Sequence, residues 1–113
     1  MTHGYLYTER NNMKNYRLDQ AYELVKSVGL INGKSDFSQN WLGQNESYLR
    51  TLKCKNAEPS IGTLAICASR LQRAAEQLLT TKKYHQLGAS FMYASEKLHE
   101  LVNEDGVELD LAD

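Results

Sequence analysis

The chain has 113 residues, enough for one domain with a modest hydrophobic core. Hydrophobic residues make up 42% and charged residues 24%, as in ordinary globular proteins, and every apolar run falls short of the roughly 20 residues that span a bilayer. The net charge of −1 neither favours nor excludes a polyanionic partner. A single proline favours helices over a many-turned β architecture, and the first residues lack the layout of a secretory signal. We therefore expect an all-α protein of the cytoplasm that spans no membrane.

The charge is distributed unevenly along the chain. Residues 49–95 carry seven Lys and Arg side chains against two Asp and Glu, whereas residues 96–113 carry one against seven. A basic segment can meet phosphate groups, and an acidic tail reduces attachment to random polyanions or to the chain's own basic face. The molecule is therefore expected to be dipolar, with a basic middle.

The N-terminal region is predicted to be an arm, residues 1–14, followed by a single helical domain over residues 15–103. The first helix is predicted from about Tyr16 to Val28, and Gly29 is placed to end it. Its apolar residues recur at helical spacing and are Leu18, Ala21, Tyr22, Val25 and Val28.

A short second helix is predicted after the turn signal Asn32-Gly33. Ser35 is placed to cap its N-terminus. Phe37 and Trp41 lie four residues apart within it, so we expect both in the core.

A third helix is predicted beyond Gly43, which closes the second helix. Asn45 is placed to cap it, because an Asn side chain can accept hydrogen bonds from the free N–H groups of a first helical turn. One apolar face is then made by Tyr48, Leu49 and Leu52.

A long fourth helix is predicted from Ile61 to roughly Tyr84. Pro59 disfavours helix in the residue before it, and Ser60 can cap the helix that begins after it. Gly88 is expected to interrupt the helical pattern, so a fifth helix is predicted from Ala89. Residues 104–113 are then expected to fray into an acidic tail.

Side chains that could carry catalysis or hold a metal are scattered. Cys54 and Cys67 lie thirteen residues apart with no second pair, and the three histidines show no metal-ligand spacing. We therefore expect reduced thiols, no metal, no cofactor and no enzymatic activity.

A longer motif extends from the turn glycine into the fourth helix without a gap. Its positions are Gly43, Pro59, Ser60, Thr63, Leu64, Ala68 and Leu71. This pattern resembles that of helix-turn-helix proteins of the Cro and C1 phage-repressor type, the XRE-like family, over about residues 18–71. The resemblance implies a lambda-repressor-like core, with the helix-turn-helix at about residues 35–53, and a C-terminal helical extension.

The resemblance also implies a DNA-binding surface. Its residues would be Gln44, Asn45, Glu46, Ser47, Arg50, Thr51, Lys53, Lys55 and Asn56. Glu46 and Ser47 stand where the family reads bases, although a Glu is also favourable at any helix N-terminus. Thr51 matches a further contact position, and Arg50 beside it could reach a phosphate or a guanine. An aromatic residue at the position of Tyr48 either stacks on DNA or packs against the scaffold.

Three positions depart from the family pattern. Phe37 lies one residue further from Gly43 than the family spacing expects, and Gln44 replaces the usual Val of the turn. Lys55 stands where the family usually has Gly, so the exit from the third helix is expected to differ.

The function that the resemblance implies is sequence-specific binding of double-stranded DNA, by a small transcriptional regulator of bacterial, phage or mobile-element origin. The alternative is a protein–protein interaction module that keeps the helix-turn-helix scaffold without DNA binding. The family often binds two half-sites as a dimer, so a homodimer through the C-terminal helices is expected. The candidate dimer residues are Leu78, Leu79, Phe91, Met92, Leu98, Leu101 and Val102. Alternatively, the last helix folds back on the first and fourth to complete a monomer core.

Overall fold

The protein is described by a computed structural model that covers the backbone of residues 10–112 and the side chains of residues 13–104. This part of the chain is all-α, which confirms the predicted fold class. The elements are α1 (Arg10–Ser27), α2 (Lys34–Asn40), α3 (Tyr48–Lys55), α4 (Ile61–Leu79), a 3₁₀ turn (Lys82–Tyr84) and α5 (His85–Ala112). Among these described residues, no helix is both long and apolar enough to cross a membrane.

Helix α1 begins six residues earlier than the sequence predicts and ends at Ser27, one residue before the predicted Val28. The end is a left-handed glycine, Gly29, with φ of +80°. The Gly29 N–H donates to the Lys26 carbonyl at 3.0 Å and the Leu30 N–H to the Val25 carbonyl at 3.3 Å. These two bonds satisfy carbonyls that the helix leaves free. Of the predicted arm, residues 10–14 are helical and residues 1–9 lie outside the described part of the chain.

The N-cap of α2 differs from the residue that the sequence predicts. Ser35 is not the N-cap: the helix begins at Lys34, and Gly33 occupies the cap position without a side-chain bond. Asp36, inside the first turn, reaches back instead, and its carboxylate accepts from the Asn32 N–H at 3.1 Å. The side chain of the third helical residue thus supplies a bond at the helix start, where the sequence predicts one from Ser35.

Helix α4 starts as predicted and stops sooner. Ser60 Oγ accepts from the Thr63 N–H at 3.2 Å, which confirms Ser60 as the N-cap. The helix ends at Leu79 rather than near Tyr84. The interruption expected at Gly88 is wrong, because Gly88 lies inside α5.

The reason for a glycine at position 88 is tertiary packing. A Cβ added to Gly88 would lie 2.8 Å from Leu79 Cγ and 3.1 Å from the Leu79 backbone nitrogen. The absence of a side chain therefore lets the first turns of α5 approach the end of α4 closely. A glycine weakens a helix by about 1 kcal/mol without breaking it, so α5 runs through.

The core is one cluster to which α1, α4 and α5 contribute most. Its fully buried side chains from α5 are Phe91 and Leu98, with Leu101 nearly so. Ser95 Oγ, also buried, donates to the Ala68 carbonyl of α4 at 2.7 Å. Helix α5 therefore folds back on α1 and α4, in agreement with the alternative interpretation of the sequence.

This packing corrects the predicted dimer surface. Phe91, Leu98 and Leu101 are inside the monomer core and are not available to a second copy. The other four candidates are half-buried, and three of them pack against the same core: Leu78, Met92 and Val102, with Leu79 the fourth. Helix α5 also continues to Ala112, where the sequence predicts fraying from residue 104, and Asp113 lies outside the described residues.

Candidate nucleic-acid interface

A left-handed glycine reverses the chain between α2 and α3. Gly43 has φ of +66°, a conformation that costs an L-residue of any other type. The next residue is held to α2, because the Gln44 N–H donates to the Ser38 carbonyl at 2.9 Å. Leu42, just before the glycine, is fully buried. The turn is thus anchored at both sides of Gly43.

The N-cap of α3 also differs from the residue that the sequence predicts. Asn45 is not the N-cap of α3, because the helix begins at Tyr48 and Ser47 holds the cap position. Asn45 Oδ1 instead accepts from the Ser47 N–H at 2.9 Å and from Ser47 Oγ at 2.8 Å. Such a short polar side chain bonds its own backbone two residues on and so builds a turn. Glu46 and Ser47 therefore precede the helix, with Glu46 exposed.

Helix α3 is attached to the body by one buried leucine and one buried hydroxyl. Leu49 is 3% exposed, and Leu52 packs half-buried against the same core. Ser38 Oγ of α2 accepts from the Leu49 N–H at 3.3 Å and donates to the Lys34 carbonyl at 2.8 Å. It thereby satisfies one of the free N–H groups in the first turn of α3. The sequence pattern does not indicate this role for Ser38, since a lone Ser inside a short helix is usually solvated.

A second buried hydroxyl, from α4, holds the turn from the other side. Thr63 Oγ1 accepts from Gln44 Nε2 at 3.0 Å and from the Tyr48 hydroxyl at 3.3 Å. Gln44, predicted to face DNA, is thus half-buried and turned toward α4. The interpretation of Tyr48 as a packing residue fits its half-buried position. Helix α3 is held by α2 on one side and by α4 on the other.

The outer face of α3 carries three cations and no acidic residue. Arg50, Thr51, Lys53 and Lys55 are all exposed. Two of the cations have partners within the chain. Arg50 Nη1 donates to Ser35 Oγ at 3.1 Å, and Lys53 Nζ lies 3.9 Å from Asp19 Oδ1.

These partners hold the cations weakly. Lys53 and Asp19 are each about 54% exposed, and an ion pair so exposed to water contributes little. The Arg50 bond is likewise at the surface. Both side chains can therefore exchange their present partners for a phosphate at small cost.

A shallow cleft of about 400 Å³ adjoins Arg50. Lys34 and Arg50 supply two positive charges to it, against one carboxylate, Asp36. That carboxylate is already bonded to the Asn32 N–H and to the side-chain amide of Asn40. A guanidinium and an ammonium along one cleft suit a phosphate oxygen.

Helix α3 ends just before a residue with a left-handed backbone conformation. Lys55 is the last helical residue, and the left-handed position falls one residue later, on Asn56 with φ of 51°. Asn is the residue that most readily replaces Gly there. The loop beyond is tied to α1, because Asn15 Nδ2 donates to the Ala57 carbonyl at 3.3 Å. Lys55, the last cation of α3, and Asn56, the residue after it, are both exposed.

The two thiols have different surroundings. Cys54 is exposed on α3 between Lys53 and Lys55. Cys67 is buried in α4, and that burial raises the pKa of its thiol to about 12. Within the part of the chain that the structure describes, no three His, Cys, Asp or Glu side chains come together as a metal site would require.

Comparison with known proteins assigns the chain to a family without assigning an activity. Residues 18–110 match the model of a family of unknown function, DUF6626, and the chain belongs to that family. The match includes α2, the turn, α3 and α4 in full. No curated protein and no solved structure matches the chain.

Proposed function

We propose that this chain binds double-stranded DNA through the outer face of α3, as a small transcriptional regulator of bacterial, phage or mobile-element origin. The observation that carries the proposal is the mounting of α3: a short helix attached by its inner face, with three exposed cations and no acid on the outer one. The resemblance of residues 43–71 to the Cro and C1 repressor type supports the same function.

The rigidity of the mount supports this function because a reading helix must enter a groove in a fixed orientation. Ser38 of α2 and Thr63 of α4 both bond to α3, and Leu49 of α3 is buried in the core. Binding therefore requires no ordering of α3 itself, which would otherwise reduce affinity.

Phosphate contacts supply most of the proposed affinity. Arg50, Lys53 and Lys55 lie on one helix, and Lys34 faces the cleft beside Arg50. Each cation that neutralises a phosphate releases counterions and adds about 0.9 to the slope of log K against log salt.

The candidates for base reading lie in the turn and on α3. Gln44 is engaged with Thr63, so it makes no base contact in this arrangement. Thr51 is exposed on α3, and Glu46 and Ser47 precede it in the turn. A carboxylate such as that of Glu46 can accept from cytosine N4, whereas a hydroxyl discriminates little between bases.

The test compares two triple variants of equal charge. In the first, Arg50, Lys53 and Lys55 are each replaced by Ala. In the matched control, Ala replaces three other exposed cations, Arg73, Lys82 and Lys83. These residues lie in the C-terminal half of α4 and in the 3₁₀ turn beyond it.

Binding of each protein to a random-sequence duplex is measured by fluorescence anisotropy across a salt series, and circular dichroism checks that each is folded. The α3 variant is expected to lose about two to three units of slope, because three phosphate contacts are removed. The control variant is expected to keep the slope of the unsubstituted chain. Equal slopes in both variants would place any DNA contact elsewhere.

The alternative is a protein–protein interaction module on the same scaffold. The Lys53–Asp19 pair and the exposed Glu46 favour it, since both place negative charge beside α3 and weaken attraction to phosphate. A folded chain that binds no duplex even at low salt would favour this alternative over DNA binding.

A homodimer remains part of the proposal, because one reading helix covers too few base pairs for useful specificity. It would have to use surface that the monomer leaves exposed. On α5 this surface includes Tyr93, which is 55% exposed, and not the buried Phe91 or Leu98.

A further inference from the structure

The hydroxyl of Thr63 joins three segments that meet at the proposed interface. It accepts from Gln44 of the turn and from Tyr48 at the start of α3. It also lies 2.9 Å from Ser60 Oγ, the N-cap of its own helix. The residue is 1% exposed, so these partners replace water around the hydroxyl almost completely.

We infer that Thr63 is a positioning residue for the DNA interface: it touches no DNA, and it sets the orientation of α3 through Gln44 and Tyr48. This inference rests on the proposed function. Its physical basis is that the hydroxyl can serve all three partners together, accepting from Gln44 and Tyr48 and donating to Ser60 Oγ.

Removal of the hydroxyl leaves both donors without their acceptor. In Thr63→Val the shape is nearly kept, but Gln44 Nε2 and the Tyr48 hydroxyl must find other acceptors. Both side chains are only half-buried, so they can turn outward to water. The turn and the first residue of α3 would then lose these two hydrogen bonds to α4 while the core under α4 stays packed.

Two further variants separate positioning from stability. Thr63→Ser retains the hydroxyl and loses only the methyl group. Ser95→Ala is a matched control, because it removes another buried hydroxyl, one that bonds α5 to the Ala68 carbonyl of α4 rather than to α3 or to the turn before it. Each change removes a buried hydroxyl and its hydrogen bonds, but only the Thr63 change removes a bond to α3.

The first readout is affinity for a random-sequence duplex at fixed low salt. Thr63→Val is expected to bind about tenfold more weakly, equivalent to about 1.4 kcal/mol. Thr63→Ser and Ser95→Ala are expected to bind within about twofold of the unsubstituted chain, a difference of less than about 0.5 kcal/mol. Unchanged binding by Thr63→Val, or an equal loss in Ser95→Ala, would overturn the inference while leaving the proposed function intact.

The second readout needs no DNA. Amide hydrogen exchange is measured for residues 48–55, which form α3. Thr63→Val is expected to raise exchange rates there, and Ser95→Ala is expected to leave them unchanged. If the unsubstituted chain binds no duplex, the proposed function fails, and the exchange rates of α3 still decide whether Thr63 holds it. Equal α3 exchange in Thr63→Val and the unsubstituted chain would overturn the inference in that case also.

Discussion

The close approach of α4 and α5 at Gly88 predicts that a side chain added at this position lowers the stability of the fold. Substitution by Ala adds a single Cβ, which would lie 2.8 and 2.9 Å from Leu79 Cγ and Cδ2 and 3.1 Å from the Leu79 backbone nitrogen. The leucine side chain is half-buried and can shift by rotation. The backbone nitrogen can move only if the last turn of α4 moves with it.

Two opposing effects set the magnitude. Ala is favoured over Gly within a helix by about 1 kcal/mol. Overpacking of a filled site costs about 1–3 kcal/mol. The contacts at Gly88 are closer than real Cβ atoms tolerate, so the second effect prevails, and Gly88→Ala is expected to destabilise by about 1 kcal/mol. For a domain of this size that loss lowers Tm by about 4 °C.

The assay is thermal unfolding of Gly88→Ala beside Gly62→Ala. Gly62 lies in the first turn of α4, is exposed, and has nothing within 4 Å of an added Cβ. Gly62→Ala is therefore expected to raise Tm, with a gain of up to about 1 kcal/mol. In a double-mutant cycle, Gly88→Ala is expected to cost less in a Leu79→Ala background than in the unsubstituted chain, because two of the three close atoms are absent there. A rise in Tm for Gly88→Ala equal to that for Gly62→Ala would refute the packing described here.

Two further predictions concern buried groups near the interface and in α4. Ser38→Ala leaves the buried Leu49 N–H without an acceptor, so the free energy of unfolding in urea is expected to fall by about 1–3 kcal/mol, and an unchanged midpoint would contradict this role. Iodoacetamide at mildly alkaline pH is expected to alkylate exposed Cys54 and spare Cys67, as mass spectrometry would show. Burial raises the pKa of Cys67 from 9.0 to about 12, so the thiol ionises at lower pH in the unfolded chain than in the folded one. The free energy of unfolding is therefore expected to fall as the pH rises between these two values. Equal labelling of both thiols in the native protein would contradict the burial.

Much of the fold can be predicted from local patterns in the chain. The apolar stripe of α1 is predicted and buried, apart from the exposed Val28 at its end. Gly29 and Ser60 act where the sequence places them, because a left-handed stop and a hydroxyl cap depend only on neighbouring residues. The turn at Gly43 is predicted for the same reason.

The features that the sequence does not predict depend on distant contacts. The local pattern predicts that Gly88 interrupts a helix, whereas its role is to admit Leu79 of another helix. Gln44 is predicted to face outward, but its partner, Thr63, is nineteen residues away. The burial of Phe91 in the monomer likewise depends on how α5 folds back, which no local pattern encodes. For this reason the sequence predicts the exposed cations of α3 more accurately than the polar groups that hold the helix in place.

The salt dependence of duplex binding tests the central claim most directly, because it counts phosphate contacts on a named surface. The claim predicts a slope that falls by about two to three units when Arg50, Lys53 and Lys55 are replaced by Ala. It also predicts no such fall when Arg73, Lys82 and Lys83 are replaced, although both variants have the same net charge. A folded chain with no duplex binding at low salt, or with equal slopes in the two variants, would contradict the assignment of a DNA interface to α3.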